Sequence, residues 1–259
     1  MSADHYARAA QRWATGAELV YGPIAAHLVG MSPHPLAGRT VLDAGAGTGA
    51  VSRALAARHA RPVATDLSWS MLAWDAASRP PGAVADIRAL PLAGDSVDDA
   101  VAAFVLNHLT DPSSGLAELA RVTRPGGAVL AAVFGNTSHS PARDRIDAVA
   151  RDAGWEVPDW YTALKVTAAP MLGSAAALAA AARAAGLTDI VSDERAVDVA
   201  VTTPEQLVSY RLGHVAFAEW LGRIGPVRAH ALSRQAAEAV RPIMRPYRPV
   251  TVLLAARAR

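Results

Sequence analysis

A glycine-rich stretch near the start of the chain constrains its fold more than any other feature. Residues 39–50 read Arg-Thr-Val-Leu-Asp-Ala-Gly-Ala-Gly-Thr-Gly-Ala, a short apolar strand followed by glycines at alternate positions. A helical pattern begins at Val51, directly after them. Glycines let the backbone approach a ligand where a Cβ would collide, and the start of the next helix offers free N–H groups. The stretch therefore predicts the first half of a nucleotide-binding βαβ unit.

Two ligand classes are compatible with this loop taken by itself. Gly45, Gly47 and Ala50 satisfy the dinucleotide pattern G-x-G-x-x-G/A, which would make the protein an NAD-dependent oxidoreductase. The same loop, with Asp43 before the glycines, resembles that of class I S-adenosylmethionine (SAM) methyltransferases. The motifs that follow have to separate the two.

Composition excludes several other classes of site. The 259-residue chain has no cysteine, which rules out disulfides, thiolate metal sites and a cysteine nucleophile. Its formal net charge is +2 and Lys165 is the only lysine, so no lysine-rich run marks a nucleic-acid footprint. No signal peptide and no apolar run of about 20 residues is recognisable, so we expect a cytoplasmic protein without a membrane partner.

Two acids follow the glycine loop at informative positions. Asp66 ends a predicted second strand, 62–66, and lies 19 residues after Gly47, where a carboxylate would accept hydrogen bonds from ribose hydroxyls. The alternative is that Asp66 caps a helix over 68–77. Asp86 ends a predicted third strand that begins at Ala83. An oxidoreductase does not need this second acid.

The order of later motifs completes the pattern. Asp66-Leu-Ser-Trp-Ser-Met-Leu72 has the form D-x-S-x-x-M-L, and a buried fourth strand over 96–106 leads to Asn107-His108. Arg124-Pro-Gly-Gly127 then precedes a fifth strand over 128–134. Together these motifs, spread over residues 39–134, resemble class I SAM-dependent methyltransferases of the small-molecule type, a group that includes the ubiquinone and menaquinone C-methyltransferases. Asn107 departs from the F-x-L-H-H often found there, and Thr123-Arg124 replaces the usual Leu-Lys.

The resemblance implies a fold and a division of the chain. The expected fold is a Rossmann-like three-layer α/β sandwich with a mostly parallel seven-stranded sheet, one antiparallel strand near the C-terminus and helical lid insertions. Residues 1–38 would form a lid of two helices broken at Gly22-Pro23, and residues 39–135 the SAM-binding core. Residues 136–173 would be a lid or acceptor loop. Residues 174–259 would complete the core around a helical insertion, 202–247, with an antiparallel closing strand over 250–256.

The resemblance also implies a set of site residues. The cofactor would be SAM, leaving S-adenosylhomocysteine as product, and its predicted contacts are Asp43, Gly45, Ala46, Gly47, Asp66, Leu67, Met71, Asp86, Ile87 and Phe104. Leu67 and Met71 would be apolar walls for adenine, with Asp86 facing its amino group. His108 is the candidate general base, with a purely structural histidine as the alternative. Predicted acceptor contacts are Trp13, Tyr21, Trp160, Tyr161, Tyr210 and His214. No metal is expected.

The aromatic content of the lid segments indicates a small apolar or aromatic acceptor, such as a natural product or a quinone-like molecule. Methylation on oxygen, nitrogen or carbon remains equally open, as does the oligomeric state. A SAM-binding protein that transfers no methyl group, either a scaffold or a cyclase-type enzyme, also stays open. So does a nucleic-acid methyltransferase, for which Arg241, Arg245 and Arg248 would be the basic strip, although no nucleic-acid partner is expected.

Overall fold

The computed structural model describes residues 10–259, without the side chains of residues 11 and 12. The first nine residues of the predicted N-terminal lid lie outside this range. The strands are β1 (Thr40–Ala44), β2 (Arg61–Asp66), β3 (Gly82–Val84), β4 (Asp99–Ala103), β5 (Ala128–Phe134), β6 (Thr188–Ala196) and β7 (Val250–Arg257). They form one seven-stranded sheet in the order β3-β2-β1-β4-β5-β7-β6.

The sheet is parallel from β3 to β5, and β7 runs antiparallel between β5 and β6. The predicted mostly parallel seven-stranded sheet with an antiparallel strand near the C-terminus is confirmed. Strand β5 has the predicted bounds, because its unbroken apolar run is buried on both faces, as parallel-sheet strands between helical layers are.

Helices cover both faces of the sheet. They are α1 (Ala10–Gly30), α2 (Ala50–Ala56), α3 (Trp69–Ala73), α4 (Pro112–Val122), α5 (Pro141–Asp152), α6 (Asp159–Ala163), α7 (Ala175–Ala184), α8 (Pro204–Leu212) and α9 (Val215–Val240). Side chains alternate along each strand, so neighbouring residues enter different core clusters. Val41 belongs to the cluster shared with α1, α2, α5, α8 and α9, and Leu42 to the one shared with α4 and α7. The result is the predicted three-layer sandwich.

The predicted break of the N-terminal segment at Gly22-Pro23 is wrong. Helix α1 continues through Pro23 from Ala10 to Gly30. A proline inside a helix costs about 3 kcal/mol, but the face formed by Val20, Ile24 and Leu28 is fully buried against the core. This burial outweighs the lost hydrogen bond, since each fully buried aliphatic side chain contributes about 1.5–3 kcal/mol.

The segment expected to be a loop at 136–173 is largely helical. It contains α5, α6, a π-helical turn (Leu164–Ala168) and a 3₁₀ turn (Ala169–Leu172). The helix predicted over 68–77 is also shorter than expected, since α3 ends at Ala73. Helix α8 starts as predicted, with Pro204 at its first position and a capping box between Thr203 and Gln206.

Within residues 10–259, no single helix is long and apolar enough to cross a membrane. One sharply bent pair, Asp159–Leu172 with Ala175–Ala184, meets the length and composition criteria together.

Candidate active site

A cavity of about 680 Å³ opens at the carboxyl ends of the parallel strands. Its lining comes from the segments after β1, β2, β4 and β5 and from helices α1, α5 and α8. Strand β1 lies between β2 and β4. From β1 the chain adds β2 and β3 on one side and then returns to add β4 on the other, so the cavity lies where the strand order reverses. Open α/β sheets bind their ligands at this point, and the volume suits a small-molecule site.

The glycine loop forms one wall of the cavity and needs its glycines. Gly45 and Gly47 have φ angles of 71° and 50°, which side chains rarely adopt. A Cβ on Gly45 would lie 2.6 Å from that of Val105, whereas one on Gly47 would meet no atom within 4 Å. The N–H groups of Gly45 and Ala46 both donate to the Thr65 carbonyl, at 2.8 and 2.9 Å. The loop is thus fastened to β2 and leaves open space at Gly47.

Asp66 joins this loop to the end of β2. Its Oδ2 accepts a hydrogen bond from the Gly47 N–H and its Oδ1 from the Ser68 N–H, both at 2.8 Å. Burial raises the pKa of Asp66, while these two hydrogen bonds act against the rise. Ser68, rather than Asp66, occupies the cap position of α3. Because each carboxylate oxygen can accept two hydrogen bonds, Asp66 can still receive hydroxyl donors from the cavity.

Apolar side chains and a second carboxylate continue this wall. Leu67 lines the cavity with 45% of its surface exposed, and Met71 lies buried behind it. Asp86 and Ile87 also line the cavity. Asp86 accepts hydrogen bonds from the Arg88 side chain, which hold its pKa below the usual range.

Asp43 is placed differently from the other predicted cofactor contacts. It is buried under the glycine loop, outside the cavity lining, and its Oδ2 accepts a hydrogen bond from Ser52 Oγ at 2.6 Å. Its Oδ1 has no hydrogen-bond partner among the described residues. Burial raises the pKa of Asp43 to about 6, against the opposing effects of Ser52 and Arg79.

Aromatic rings form the middle of the cavity. Tyr21 of α1 lies 4.9 Å from Phe104 and 5.4 Å from Trp13, measured between ring centroids, and Phe104 lies 4.5 Å from Phe134. Phe104 follows β4 with a φ of 59°, an uncommon conformation for a bulky side chain that is found at functional sites. Tyr161 and Tyr210 also line the cavity. Trp160 does not line it; its ring packs against the buried cluster that contains Met71 and lies 5.7 Å from the Tyr161 ring, measured between centroids.

Two histidines line the far end of the cavity. Burial, and to a smaller extent the charge of Lys165, lower the pKa of His108 to about 4. Burial also lowers the pKa of His214, whose Nδ1 accepts a hydrogen bond from the Ala216 N–H at 3.3 Å. Both imidazoles are therefore neutral at pH 7. A neutral imidazole can accept a proton from a reacting group.

Three basic residues at this end were not predicted from the sequence. They are Arg143 of α5, Lys165 of the π-helical turn and Arg211 of α8. Arg211 forms two hydrogen bonds with Asp147, at 2.6 and 2.7 Å, and a third with the Tyr161 hydroxyl at 3.2 Å. The position of the only lysine, four residues after Tyr161 in a predicted lid segment, was the one sequence signal available.

The donor set of the cavity suits an adenosine-containing cofactor. Asp66 could hold ribose hydroxyls, Leu67 and Met71 could flank adenine, and the open space at Gly47 admits a ligand close to the backbone. Among the described residues, no group of three or more histidine, aspartate or glutamate side chains could hold a metal ion. Two arginines of the basic strip near the C-terminus are paired, Arg241 with Glu205 and Glu238 and Arg248 with Asp198.

The sequence over residues 42–131 matches the profile of a family described as a methyltransferase domain. This span contains most of β1, strands β2 to β4, the glycine loop, Asp66 and Asp86, and so includes the glycine-loop wall of the cavity. Residues 42–131 are a methyltransferase domain.

Similar proteins extend this result in sequence and in fold. A demethylmenaquinone methyltransferase of Mycolicibacterium paratuberculosis is 40% identical over 103 residues, which cover 40% of this chain and 45% of that protein. A putative methyltransferase solved with the Haloferax volcanii Trm112 methyltransferase activator has a TM-score of 0.63 at 20% identity, covering 100% of this chain and 97% of that one. A phosphoethanolamine N-methyltransferase of Haemonchus contortus, solved with S-adenosylhomocysteine, has a TM-score of 0.57 at 17% identity. The match covers 90% of this chain and 52% of that one.

The sequence similarity has a limited span. The matched part of this methyltransferase-domain protein spans less than half the length of the curated relatives. The two structures are below 25% identical and show the likeness of the fold alone.

Proposed function

We propose that this methyltransferase-domain protein binds SAM and transfers its methyl group to a small aromatic acceptor. The observation that carries the proposal is one continuous cavity that joins the glycine loop and Asp66 to the aromatic rings around Tyr21 and Phe104. A cofactor seated on the first wall would have its reactive end directed toward the second. The demethylmenaquinone methyltransferases with about 40% identity support a quinone-like aromatic body.

The cofactor side would be held by the residues predicted from the sequence. Asp66 would accept hydrogen bonds from ribose hydroxyls while it keeps the Gly47 N–H in place. Asp86 and the Ile87 backbone would meet adenine, which Leu67 and Met71 would flank. Asp43 would act indirectly, without touching the cofactor. It lies under the loop and accepts a hydrogen bond from Ser52 at the start of α2. Gly45 and Ala46 keep the loop close to β2.

The acceptor side would position the nucleophile. SAM supplies a methyl group that its sulfonium already activates, so alignment is the main task left to the protein. Such positioning contributes about 7–11 kcal/mol to lowering the barrier, more than a general base, which adds about 10²–10⁴-fold in rate. The rings of Tyr21, Phe104, Tyr161 and Tyr210 would hold the acceptor plane. The remaining predicted acceptor contacts are Trp13, Trp160 and His214. Trp160 lies outside the cavity lining and would act by packing against Tyr161.

His108 would take the proton that the nucleophile releases. It lies just after β4, at the edge of the sheet where the cavity opens, and its low pKa keeps it neutral at pH 7. The nucleophile would form a bond to the methyl carbon as the carbon–sulfur bond breaks. The proton would pass to His108 and then to solvent.

The test is the appearance of S-adenosylhomocysteine when the protein meets SAM and a panel of hydroxylated naphthalenes, quinols and aromatic amines. Mass spectrometry should find one acceptor that gains a methyl group in step with S-adenosylhomocysteine. A protein that binds SAM and converts no member of a broad panel would favour the scaffold or cyclase alternative. Methylation of RNA or DNA, lost at high salt, would favour the nucleic-acid alternative.

A further inference from the structure

The far end of the cavity carries more positive charge than its own carboxylates balance. Arg143, Lys165 and Arg211 come from three separate elements and meet there. Asp147 pairs with Arg211 and is the one carboxylate of the described residues that forms an ion pair with any of the three. The acids on the cofactor side have other partners: Glu18 pairs with Arg53, and Asp86 with Arg88.

Arg143 is only partly satisfied. Its Nη1 donates to the Tyr247 hydroxyl at 2.9 Å, and its guanidinium lies 5.8 Å from that ring. Its Nε is buried and has no hydrogen-bond partner among the described residues. A buried donor without a partner is costly, so such a group indicates a missing acceptor.

Lys165 also lines this end of the cavity, and its ammonium interacts with the Tyr161 side chain and with no carboxylate of the described residues. Its Nζ lies 5.6 Å from the centroid of the Tyr161 ring. Burial lowers the pKa of Lys165, the Tyr161 phenol opposes this, and the Arg143 and Arg211 charges lower it further. The two histidines at this end are neutral and supply no negative charge. Lys165 also lies on a π-helical turn, a rare conformation that is frequent at functional sites.

We propose that the acceptor is an aromatic acid whose anionic carboxylate binds between Lys165 and Arg143. This proposal rests on the proposed function, since it names the class of acceptor for the same cavity. Both side chains line the cavity, so a carboxylate there could pair with the Lys165 ammonium and the Arg143 guanidinium through charge-assisted hydrogen bonds. The aromatic body would then lie against Tyr21, Phe104 and Tyr161, within reach of His108.

A neutral quinone does not meet these requirements. It would fill the aromatic part of the cavity and leave Arg143 and Lys165 with their tyrosine partners and without a counter-charge. All three basic residues lie outside residues 42–131, so the methyltransferase-domain match says nothing of them. The structure thus distinguishes this cavity from one built for a wholly neutral ring system.

The experiment compares two probes that differ in charge. The protein is saturated with S-adenosylhomocysteine and titrated with 3-hydroxy-2-naphthoate or with the neutral 3-hydroxy-2-naphthamide. Because Lys165 is the only lysine, protein made with ¹³C-lysine gives one Cε resonance, which reports the site directly. We expect the acid to bind at least tenfold more tightly than the amide, to move this resonance and to raise the pKa of Lys165.

Substitutions assign the effect to the basic residues. Lys165→Gln and Arg143→Gln should each weaken binding of the acid at least tenfold and leave the amide unchanged. Arg145→Gln, on the exposed side of the same helix as Arg143, is the matched control and should change neither. If Arg143→Gln fails to fold, Lys165→Gln alone decides, since Lys165 makes no ion pair with a described carboxylate.

Three results would overturn the proposal: equal binding of acid and amide, no binding of either at millimolar concentration, or an acid preference that survives Lys165→Gln. Each of these is judged on protein already shown to bind S-adenosylhomocysteine. A protein that fails to bind S-adenosylhomocysteine contradicts the proposed function instead, so the two failures are distinguishable.

Discussion

The Gly47 N–H donates a hydrogen bond of 2.8 Å to Asp66 Oδ2, which ties the loop after β1 to the acid that ends β2. The two residues are 19 positions apart in sequence and meet because β1 and β2 are parallel neighbours. Asp66 thus has two tasks in the proposed function, holding the loop and receiving the ribose.

Replacing Asp66 should therefore weaken cofactor binding more than it weakens the fold. We expect Asp66→Asn to lower the affinity for S-adenosylhomocysteine at least tenfold, because the amide loses the charge and sets its NH2 group against the N–H of either Gly47 or Ser68. Isothermal titration calorimetry measures this. Asp152→Asn, at an exposed position of α5, is the control and should bind as the wild type does. Unchanged affinity in Asp66→Asn would remove Asp66 from the cofactor site.

The buried carboxyl of Asp43 should make stability depend on pH. Its pKa is about 6 in the folded protein against an ordinary 3.8, so the folded state holds this proton more tightly than the unfolded state. The free energy of unfolding should therefore lose a contribution on the order of 3 kcal/mol as pH rises from about 4 to 6.

Asp43→Asn isolates this contribution. The amide oxygen can still accept from Ser52, and the buried charge is gone. The stability of the variant relative to wild type should rise between pH 4 and 6 and then stay level, as measured by urea unfolding at each pH. Asp152→Asn should show no such trend. A difference that is constant over this range would contradict a raised pKa at Asp43.

If His108 acts as a base, the pH profile of the reaction rate should show no inflection from His108 near neutral pH. We expect kcat/KM for a suitable acceptor to show no loss attributable to His108 until the pH approaches about 4, where its imidazole is protonated. His108→Asn should lower kcat by about 10²–10⁴-fold with the cofactor affinity retained. His59→Asn, at an exposed position with a φ of 58° that asparagine tolerates, is the control. A loss below tenfold at His108 would favour the structural role.

The ion pair between Arg211 and Asp147 should contribute strongly to stability. Arg211 is buried and binds both carboxylate oxygens, so Arg211→Gln leaves Asp147 without its counter-charge. We expect the free energy of unfolding to fall by about 3–5 kcal/mol, measured by urea denaturation. Arg223→Gln breaks an exposed pair with Glu219 and should change little. Equal losses of unfolding free energy in the two variants would show that the buried pair contributes no more to stability than the exposed one.

Most of the sheet, and the residues that line the cavity around the glycine loop, could be predicted because their signals are local. Strand β5 is a continuous apolar run. The glycine loop follows β1, Asp66 ends β2 and Asp86 lies two residues after β3, where their residue types carry meaning on their own. Helix α1 could not be predicted in the same way. Its passage through Pro23 depends on burial of Ile24 and Leu28 against elements far along the chain.

The basic end of the cavity was unpredictable for a related reason. Arg143, Lys165 and Arg211 are 22 and 46 residues apart in sequence, and each looks like an ordinary charge on a helical segment. Their significance comes from a shortage of carboxylates around them, and that shortage exists only in three dimensions. Periodicity reports burial along one element, whereas a charge imbalance belongs to the place where several elements meet.

Thermal unfolding with S-adenosylhomocysteine, with NADH in parallel, tests the central claim most directly. A ligand at about 100 times its dissociation constant adds about 2.7 kcal/mol, which for a protein of this size raises the midpoint by roughly 5–10 °C. We predict this rise with S-adenosylhomocysteine and none with NADH. A rise with NADH alone would assign the glycine loop to a dinucleotide, and no rise with either would contradict a functional cofactor site.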